Sequence, residues 1–249
     1  MLKDVSLFFE KKWSILRTSN RMIAENIQYI KDRIERASAR SGRNSAEITV
    51  VAVAKTFSSD AVREAVGAGV PDIGENYVQE LLTKRSVLEN EPIRWHFIGH
   101  LQTNKVKAVA GWIHAIHAVD SLRLGEEIAK RAKEFDRSID ILVEVNTSGE
   151  TSKFGVRPDE AEKLVAALNV LDHIRVKGLM TIGPLLPDPE SARPAFRMLR
   201  QLKESLEGKG ILLDHLSMGM TNDFEVAIEE GATMIRVGTA IFGKRIKPE

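Results

Sequence analysis

The chain has 249 residues, and 36 Lys and Arg side chains nearly balance 35 Asp and Glu, for a formal net charge of +1. This balance argues against a bulk nucleic-acid-binding domain, which would carry a clear basic excess. Because the chain has no cysteine, disulfides, thiolate metal sites and cysteine nucleophiles are excluded. A cysteine-free globular chain is typical of the cytoplasm, and we expect that location.

Residues 1–20 form a mixed amphipathic segment, which predicts an N-terminal extension that is helical. The segment has no apolar run of the length that a signal peptide or a membrane span needs, so we expect no membrane association. The main domain is predicted over residues 21–249. It begins with Ile23, Ile27, Ile30 and Ile34, whose spacing indicates a helix with one buried face.

Short apolar runs then alternate with helical patterns along the rest of the chain. This alternation predicts a parallel sheet, and eight strands in about 250 residues favour a single (β/α)8 TIM barrel over an open doubly wound sheet. Strands are predicted at 48–54, 72–74, 94–98, 113–118, 139–145, 174–180, 212–217 and 233–237, and helices at 59–68, 76–88, 103–110, 122–135, 158–170, 190–207 and 222–230.

A lysine follows the first of these strands. Residues 48–54 are apolar and rich in β-branched side chains, and the run ends at Lys55. Barrels keep their active sites at the carboxyl ends of their strands, where a lysine withdrawn from water is a nucleophile toward aldehydes. A single lysine at a strand end is more commonly an exposed cap. The choice between these interpretations therefore depends on the rest of that face.

The loops after strands 7 and 8 resemble a phosphate site. Gly238 lets the backbone approach a ligand, while Thr221, Thr239 and Arg236 supply donors suited to a phosphate. The loops after these two strands commonly hold phosphate in this barrel. The alternative is that both threonines simply cap the helices that follow them.

A phosphate site facing a strand-end lysine indicates a phosphorylated aldehyde, and pyridoxal 5′-phosphate (PLP) is the obvious candidate. Asn76, after strand 2, is placed to donate to the phenolic oxygen of its ring. Arg236 could contact either the phosphate or the pyridine nitrogen, and the sequence leaves both open. Met180 and Ser217, at the ends of strands 6 and 7, share this face and complete the predicted cofactor-binding set.

Several long motifs resemble the pyridoxal phosphate homeostasis protein family, from about Ile23 to Arg245. The resemblance implies a barrel like the N-terminal domain of bacterial alanine racemase, PLP held as a Schiff base on Lys55, and a role in vitamin B6 and amino-acid balance without an established reaction. It departs at Thr221, where the family has serine. The motifs are Val53-Ala54-Lys55-Thr56, residues 74–80, residues 95–105, residues 152–155, Gly178-Leu179-Met180, residues 216–221 and residues 236–245.

The six histidines do not predict a metal site. His96 and His100 share no helical face, and His114 and His117, three apart in a strand, should point to opposite sides. No His-Glu-x-x-His pattern is present.

Three functions remain to be compared. The favoured one is a monomeric PLP carrier that buffers the cofactor or delivers it to PLP-dependent apo-enzymes. The second is a PLP-dependent racemase or decarboxylase, but racemisation needs a base on each face of the cofactor, and the sequence offers one candidate, Lys55. The third is a regulatory module whose partner docks on the open face of the cofactor.

Overall fold

The computed structural model describes residues 22–150 and 153–243. The predicted helical extension at 1–20 lies outside the described residues. Within them, eight parallel strands pair in chain order and the last pairs with the first, which closes the sheet into a barrel. The predicted TIM barrel is thus confirmed, and the open-sheet alternative is wrong.

The strands occupy nearly the predicted places. Each is short, and most of their residues are buried, as expected for parallel strands covered by helices on their outer face. Their bounds are β1 Thr49–Val53, β2 Asp72–Glu75, β3 Arg94–Phe97, β4 Ala115–Val119, β5 Ile139–Glu144, β6 Ile174–Met180, β7 His215–Ser217 and β8 Met234–Val237.

Helices fill the connections and cover the barrel. In the part of the chain described, none of them is both long enough and apolar enough to cross a bilayer. They are α1 at 22–40, α2 Ser59–Gly67, α3 Val78–Val87, α4 Lys107–Ala110, α5 Leu122–Glu134, α6 Pro158–Asn169, α7 Arg193–Glu207, α8 Phe224–Glu229 and α9 Thr239–Phe242, with short 3₁₀ turns at Ser45–Glu47, Thr103–Lys105 and Pro189–Ala192.

The apolar core lies mainly between the strands and the surrounding helices. The four isoleucines of α1 predicted to share a face are all buried in it, and burying an isoleucine contributes about 1.5–3 kcal/mol. A smaller apolar cluster fills part of the barrel interior: Ala118, Leu142, Met180 and Met234.

Pairing between the first and last strands positions the candidate site. Val51 lies opposite Arg236 and Ala52 lies opposite Val237. The chain that delivers Lys55 therefore runs beside the chain that delivers Arg236, Gly238 and Thr239. Both segments end at the carboxyl-terminal mouth of the barrel.

Candidate functional site

A cavity of about 440 Å³ opens at the carboxyl-terminal mouth. This volume is in the range of small-molecule sites, ~300–1,000 Å³. A cavity of about 400 Å³ opens at the opposite mouth, where barrels do not place their chemistry. Five predicted site residues line the first cavity together with the loop at 184–189: Lys55, Thr221, Arg236, Gly238 and Thr239.

The backbone on either side of Lys55 is held by charged side chains of α3. The Lys84 ammonium donates to the carbonyl oxygen of Ala54 at 2.7 Å, and the amide N–H of Thr56 donates to a carboxylate oxygen of Glu80 at 2.8 Å. Thr56 has φ of 70°, a left-handed conformation that is uncommon for threonine and occurs mostly where surrounding contacts enforce it. These contacts fix the direction in which Lys55 leaves β1.

Lys84 is itself buried and pairs with Glu75, with 2.5 Å between Nζ and Oε1. Burial raises the pKa of the Glu75 carboxyl, and the Lys84 ammonium opposes that shift. Sequence reasoning missed this pair. The available signal was the spacing of Glu80 and Lys84, four residues apart on one helix face.

The two threonines at the mouth do not cap helices. Helix α8 begins at Phe224, three residues after Thr221, and neither α8 nor α9 has a side-chain cap hydrogen bond. Instead, the hydroxyls of Thr239 and Thr221 lie 3.3 Å apart at the cavity. The capping interpretation is therefore wrong, and both hydroxyls are available to a ligand. The backbone at Gly238 lies close to the end of β1, since a Cβ there would be 3.2 Å from the Val53 carbonyl oxygen.

Arg236 is buried beneath the cavity. Its Nη1 donates to the hydroxyl of Ser217 at 2.7 Å and its Nη2 donates to the carbonyl oxygen of Thr181 at 2.8 Å. Burial lowers the pKa of this guanidinium to about 10, although Glu144 and Asp223 act to raise it. Arg236 is therefore a cation at neutral pH and is fixed from below.

Three predicted residues do not line the cavity. Ser217 is buried behind Arg236, and Met180 is buried in the interior apolar cluster. Asn76 follows β2, and its Oδ1 atom is buried without a hydrogen-bond partner among the described residues. Gly99 packs against its backbone, because a Cβ at Gly99 would lie 2.4 Å from the Asn76 carbonyl oxygen. Buried polar atoms without a partner are unusual, and Ser38 Oγ and Glu75 Oε2 share this state among the described residues.

Two buried acids near Arg236 were also missed. Burial raises the pKa of Glu144 to about 7, with Arg236 opposing the rise and Asp120 adding to it. Burial likewise raises the pKa of Asp223, which accepts a hydrogen bond from the Met220 amide at 2.6 Å. Both acids come from positions that sequence patterns assign to a strand end and a helix start, where acidic residues are ordinary.

Glu144→Gln should stabilise the ligand-free protein above neutral pH. Because the folded-state pKa of about 7 exceeds the ordinary 4.5, the favourable contribution of Glu144 is complete below pH 4.5 and is lost as pH rises through 7. Glutamine removes that loss, so the variant should gain about 3 kcal/mol in unfolding free energy at pH 8 and almost nothing at pH 4.5. Urea titrations at both pH values measure this. Exposed Glu89→Gln is the control, and equal curves for Glu144→Gln and wild type at pH 8 would contradict the burial argument.

The histidines behave differently from the sequence prediction. The rings of His114 and His117 both pack against His96, with centroids 5.1 and 5.0 Å away, so the expectation that they point to opposite sides is wrong. The cause is that His114 precedes β4 and the pairing of β4 shifts register after Ile116. His100 follows β3 at the carboxyl-terminal mouth of the barrel, where its ring stacks on the ring of Phe154.

The histidine group includes one possible metal-ligand set. Potential ligand atoms of Asp72, His96 and His114 lie within 4.8 Å of one another. Arg94, however, donates from Nε and Nη2 to the two carboxylate oxygens of Asp72. Among the described residues, the Asp72 carboxylate thus already pairs with Arg94 and also contacts His96.

Comparison with known proteins now decides the family. The family model described as alanine racemase, N-terminal domain, matches residues 23–246. A pyridoxal phosphate homeostasis protein of Aquifex aeolicus is 44% identical over 222 residues, covering 89% of this chain and 97% of that protein. The chain belongs to the pyridoxal phosphate homeostasis protein family. The relative of that name from Pseudomonas aeruginosa is 41% identical over 224 residues, covering 90% of this chain and 96% of its own.

Solved structures agree with this family assignment. PipY of Synechococcus elongatus, determined with PLP bound, is 33% identical, with a TM-score of 0.75 over 89% of this chain and all of that chain. Alanine racemase of Clostridium difficile has a TM-score of 0.73 at 14% identity, covering 93% of this chain and 61% of that one, and it shows a shared fold alone.

Proposed function

We propose that this member of the family binds PLP at the carboxyl-terminal mouth, through a Schiff base on Lys55, and acts as a carrier in vitamin B6 homeostasis. One observation carries the proposal: Lys55 lines the same cavity as two threonine hydroxyls that cap no helix. PLP supplies an aldehyde for the lysine and a phosphate for the opposite loops. The PLP-bound PipY structure supports the choice of ligand.

The residues at the mouth fit the parts of this cofactor. Thr221, Gly238 and Thr239 would hold the phosphate, with hydroxyl donors and a close backbone. Asn76 would meet the phenolic oxygen, since a half turn of its amide presents the Nδ2 donor where the orphaned Oδ1 now lies. Met180 and Ser217 would support the ring from the barrel interior without lining the cavity.

For Arg236 we infer the ring nitrogen rather than the phosphate. Its guanidinium donates hydrogen bonds to Ser217 and Thr181 in the barrel interior. The hydroxyls of Thr221 and Thr239 lie at the more exposed rim of the cavity. A buried cation beneath the cavity is better placed for the ring than for a phosphate at the rim. The methyl group that distinguishes Thr221 from the family's serine leaves the hydroxyl in place.

This division of roles predicts two different patterns of affinity. Thr221→Val combined with Thr239→Val should weaken PLP binding about 10²- to 10⁴-fold and leave pyridoxal, which lacks the phosphate, unaffected, since two hydrogen bonds to a charged group are lost and each contributes ~1.5–3 kcal/mol. Arg236→Met should weaken both ligands by the same factor. Equilibrium dialysis of wild type and both variants, each with PLP and with pyridoxal, measures the six affinities. If Arg236→Met reduces only PLP binding, Arg236 belongs to the phosphate site.

Carrier function is favoured over catalysis because curated relatives covering about 90% of this chain are named homeostasis proteins. We propose that the protein works as a cytoplasmic monomer that hands PLP to PLP-dependent apo-enzymes. The PLP-loaded protein should therefore reactivate such an apo-enzyme while leaving a panel of L-amino acids unchanged. Racemisation or decarboxylation at ~1–10³ s⁻¹, the usual range for enzymes, would establish the enzyme alternative instead.

A further inference from the structure

A line of hydrogen bonds crosses the barrel interior from Arg236 toward the opposite mouth. Ser217 Oγ, which accepts from Arg236 at 2.7 Å, lies 3.0 Å from Nδ1 of His117. Nε2 of His117 lies 2.9 Å from Nδ1 of His96, and Nε2 of His96 lies 2.9 Å from Oδ1 of Asp72. The line joins five side chains from strands β2, β3, β4, β7 and β8 without a gap.

All five side chains are almost completely buried, with at most 4% of any residue exposed. The interior of such a barrel is ordinarily packed with branched apolar side chains, as the neighbouring cluster around Leu142 is here. Burying polar groups costs free energy unless each one is hydrogen-bonded. A complete polar line through this interior therefore points to a role beyond packing.

One donor direction gives every imidazole and hydroxyl hydrogen in the line an acceptor. Hydrogen bonds from His96 and Arg94 outweigh the effect of burial on Asp72 and lower its pKa to about 2, so Asp72 is an acceptor and His96 Nε2 carries the proton. His96 Nδ1 then accepts from His117 Nε2–H, and His117 Nδ1 accepts from the Ser217 hydroxyl. The Ser217 oxygen keeps a lone pair for Arg236.

This direction requires a neutral His117. Burial holds the pKa of His117 well below its ordinary value, and the charge of Arg236 acts in the same direction. A protonated His117 would carry a hydrogen on both ring nitrogens, so Ser217 would face donors from two sides. A neutral His117 gives the Ser217 hydroxyl hydrogen an acceptor.

We propose that His117, backed by His96 and Asp72, is a positioning residue for the cofactor site. It orients the Ser217 hydroxyl as an acceptor for one N–H of Arg236, which turns the remaining N–H groups of the guanidinium toward the cavity. Asp72 anchors the far end because Arg94 holds its carboxylate. The inference rests on the proposed function, since Arg236 acts here on bound PLP.

A double-mutant cycle on PLP affinity tests whether His117 acts through Arg236. His117→Leu should weaken PLP binding about ten-fold in the wild-type background, the effect of one lost orienting hydrogen bond to a cation. In the Arg236→Met background, the same substitution should change the affinity less than two-fold. Leu142→Ala, a buried interior change outside the line, is the control and should lower stability without altering PLP affinity.

A second measurement needs no cofactor. Nitrogen-15 NMR of histidine-labelled protein should show His117 as the neutral Nε2–H tautomer, and Ser217→Ala should shift its Nδ1 resonance. If His117→Leu weakens PLP binding equally in the wild-type and Arg236→Met backgrounds, or if His117 is the Nδ1–H tautomer, the inference about His117 is overturned. The proposed function would survive either result. A wild-type protein that binds no PLP would overturn the proposed function together with it. If His117→Leu does not fold, Ser217→Ala replaces it in the same cycle with the same expected outcome.

Discussion

Lys84→Met should lower the unfolding free energy by about 3–5 kcal/mol, because it leaves the buried Glu75 carboxylate without its partner. Methionine keeps the length and apolar stem of lysine, so the loss reports the ammonium and not a cavity. The Ala54 carbonyl also loses its donor, which should loosen the β1 end that carries Lys55. Urea denaturation of the ligand-free protein measures the change in unfolding free energy.

Two companion variants isolate the buried pair. Adding Glu75→Gln to Lys84→Met removes the unpaired buried carboxylate and should recover part of the lost unfolding free energy. Lys209→Met breaks an exposed pair with Glu162 at the surface and should cost at most about 1 kcal/mol. A loss below 1 kcal/mol for Lys84→Met itself would show that the pair does not hold this edge of the site.

Lys55→Ala should abolish covalent retention of PLP while leaving the fold intact. The side chain lines a cavity rather than the core, so the thermal midpoint should match wild type. Residual binding should remain, because the phosphate contacts proposed for Thr221 and Thr239 do not depend on the lysine. PLP that stays with the protein through denaturing gel filtration after borohydride treatment measures the covalent fraction.

Lys153→Ala is the matched control for this prediction. Its ammonium also lies near the mouth, where it donates to the carbonyl oxygen of Gly183 at 3.0 Å. Its removal should leave the covalent fraction unchanged. Equal covalent fractions in Lys55→Ala and wild type would rule out Lys55 as the attachment point.

The fold was predictable because its signals are local. The predicted strand 174–180 coincides with β6, Ile174–Met180, whose first four residues alternate between apolar and basic side chains, a pattern typical of a strand. The prediction at 212–217 was too long by three residues. Pairing of β7 begins only at His215, and the apolar Leu212 that suggested an earlier start is 81% exposed.

The lining of the cavity was predictable only where it lies at or just after a strand end. Lys55, Arg236 and Thr239 come directly from that rule, since the carboxyl ends of all strands share one mouth. The clamp of Lys84 on Ala54 and the contact of His117 with Ser217 join residues 30 and 100 positions apart. Sequence spacing does not predict such contacts, because they depend on which side chains meet after the barrel closes.

Borohydride reduction of the wild-type protein with PLP, followed by peptide mass mapping, tests the central claim most directly. We expect one modified lysine, Lys55, in the peptide that continues from β1. A pyridoxyl adduct on any other lysine, with Lys55 unmodified, would contradict the account.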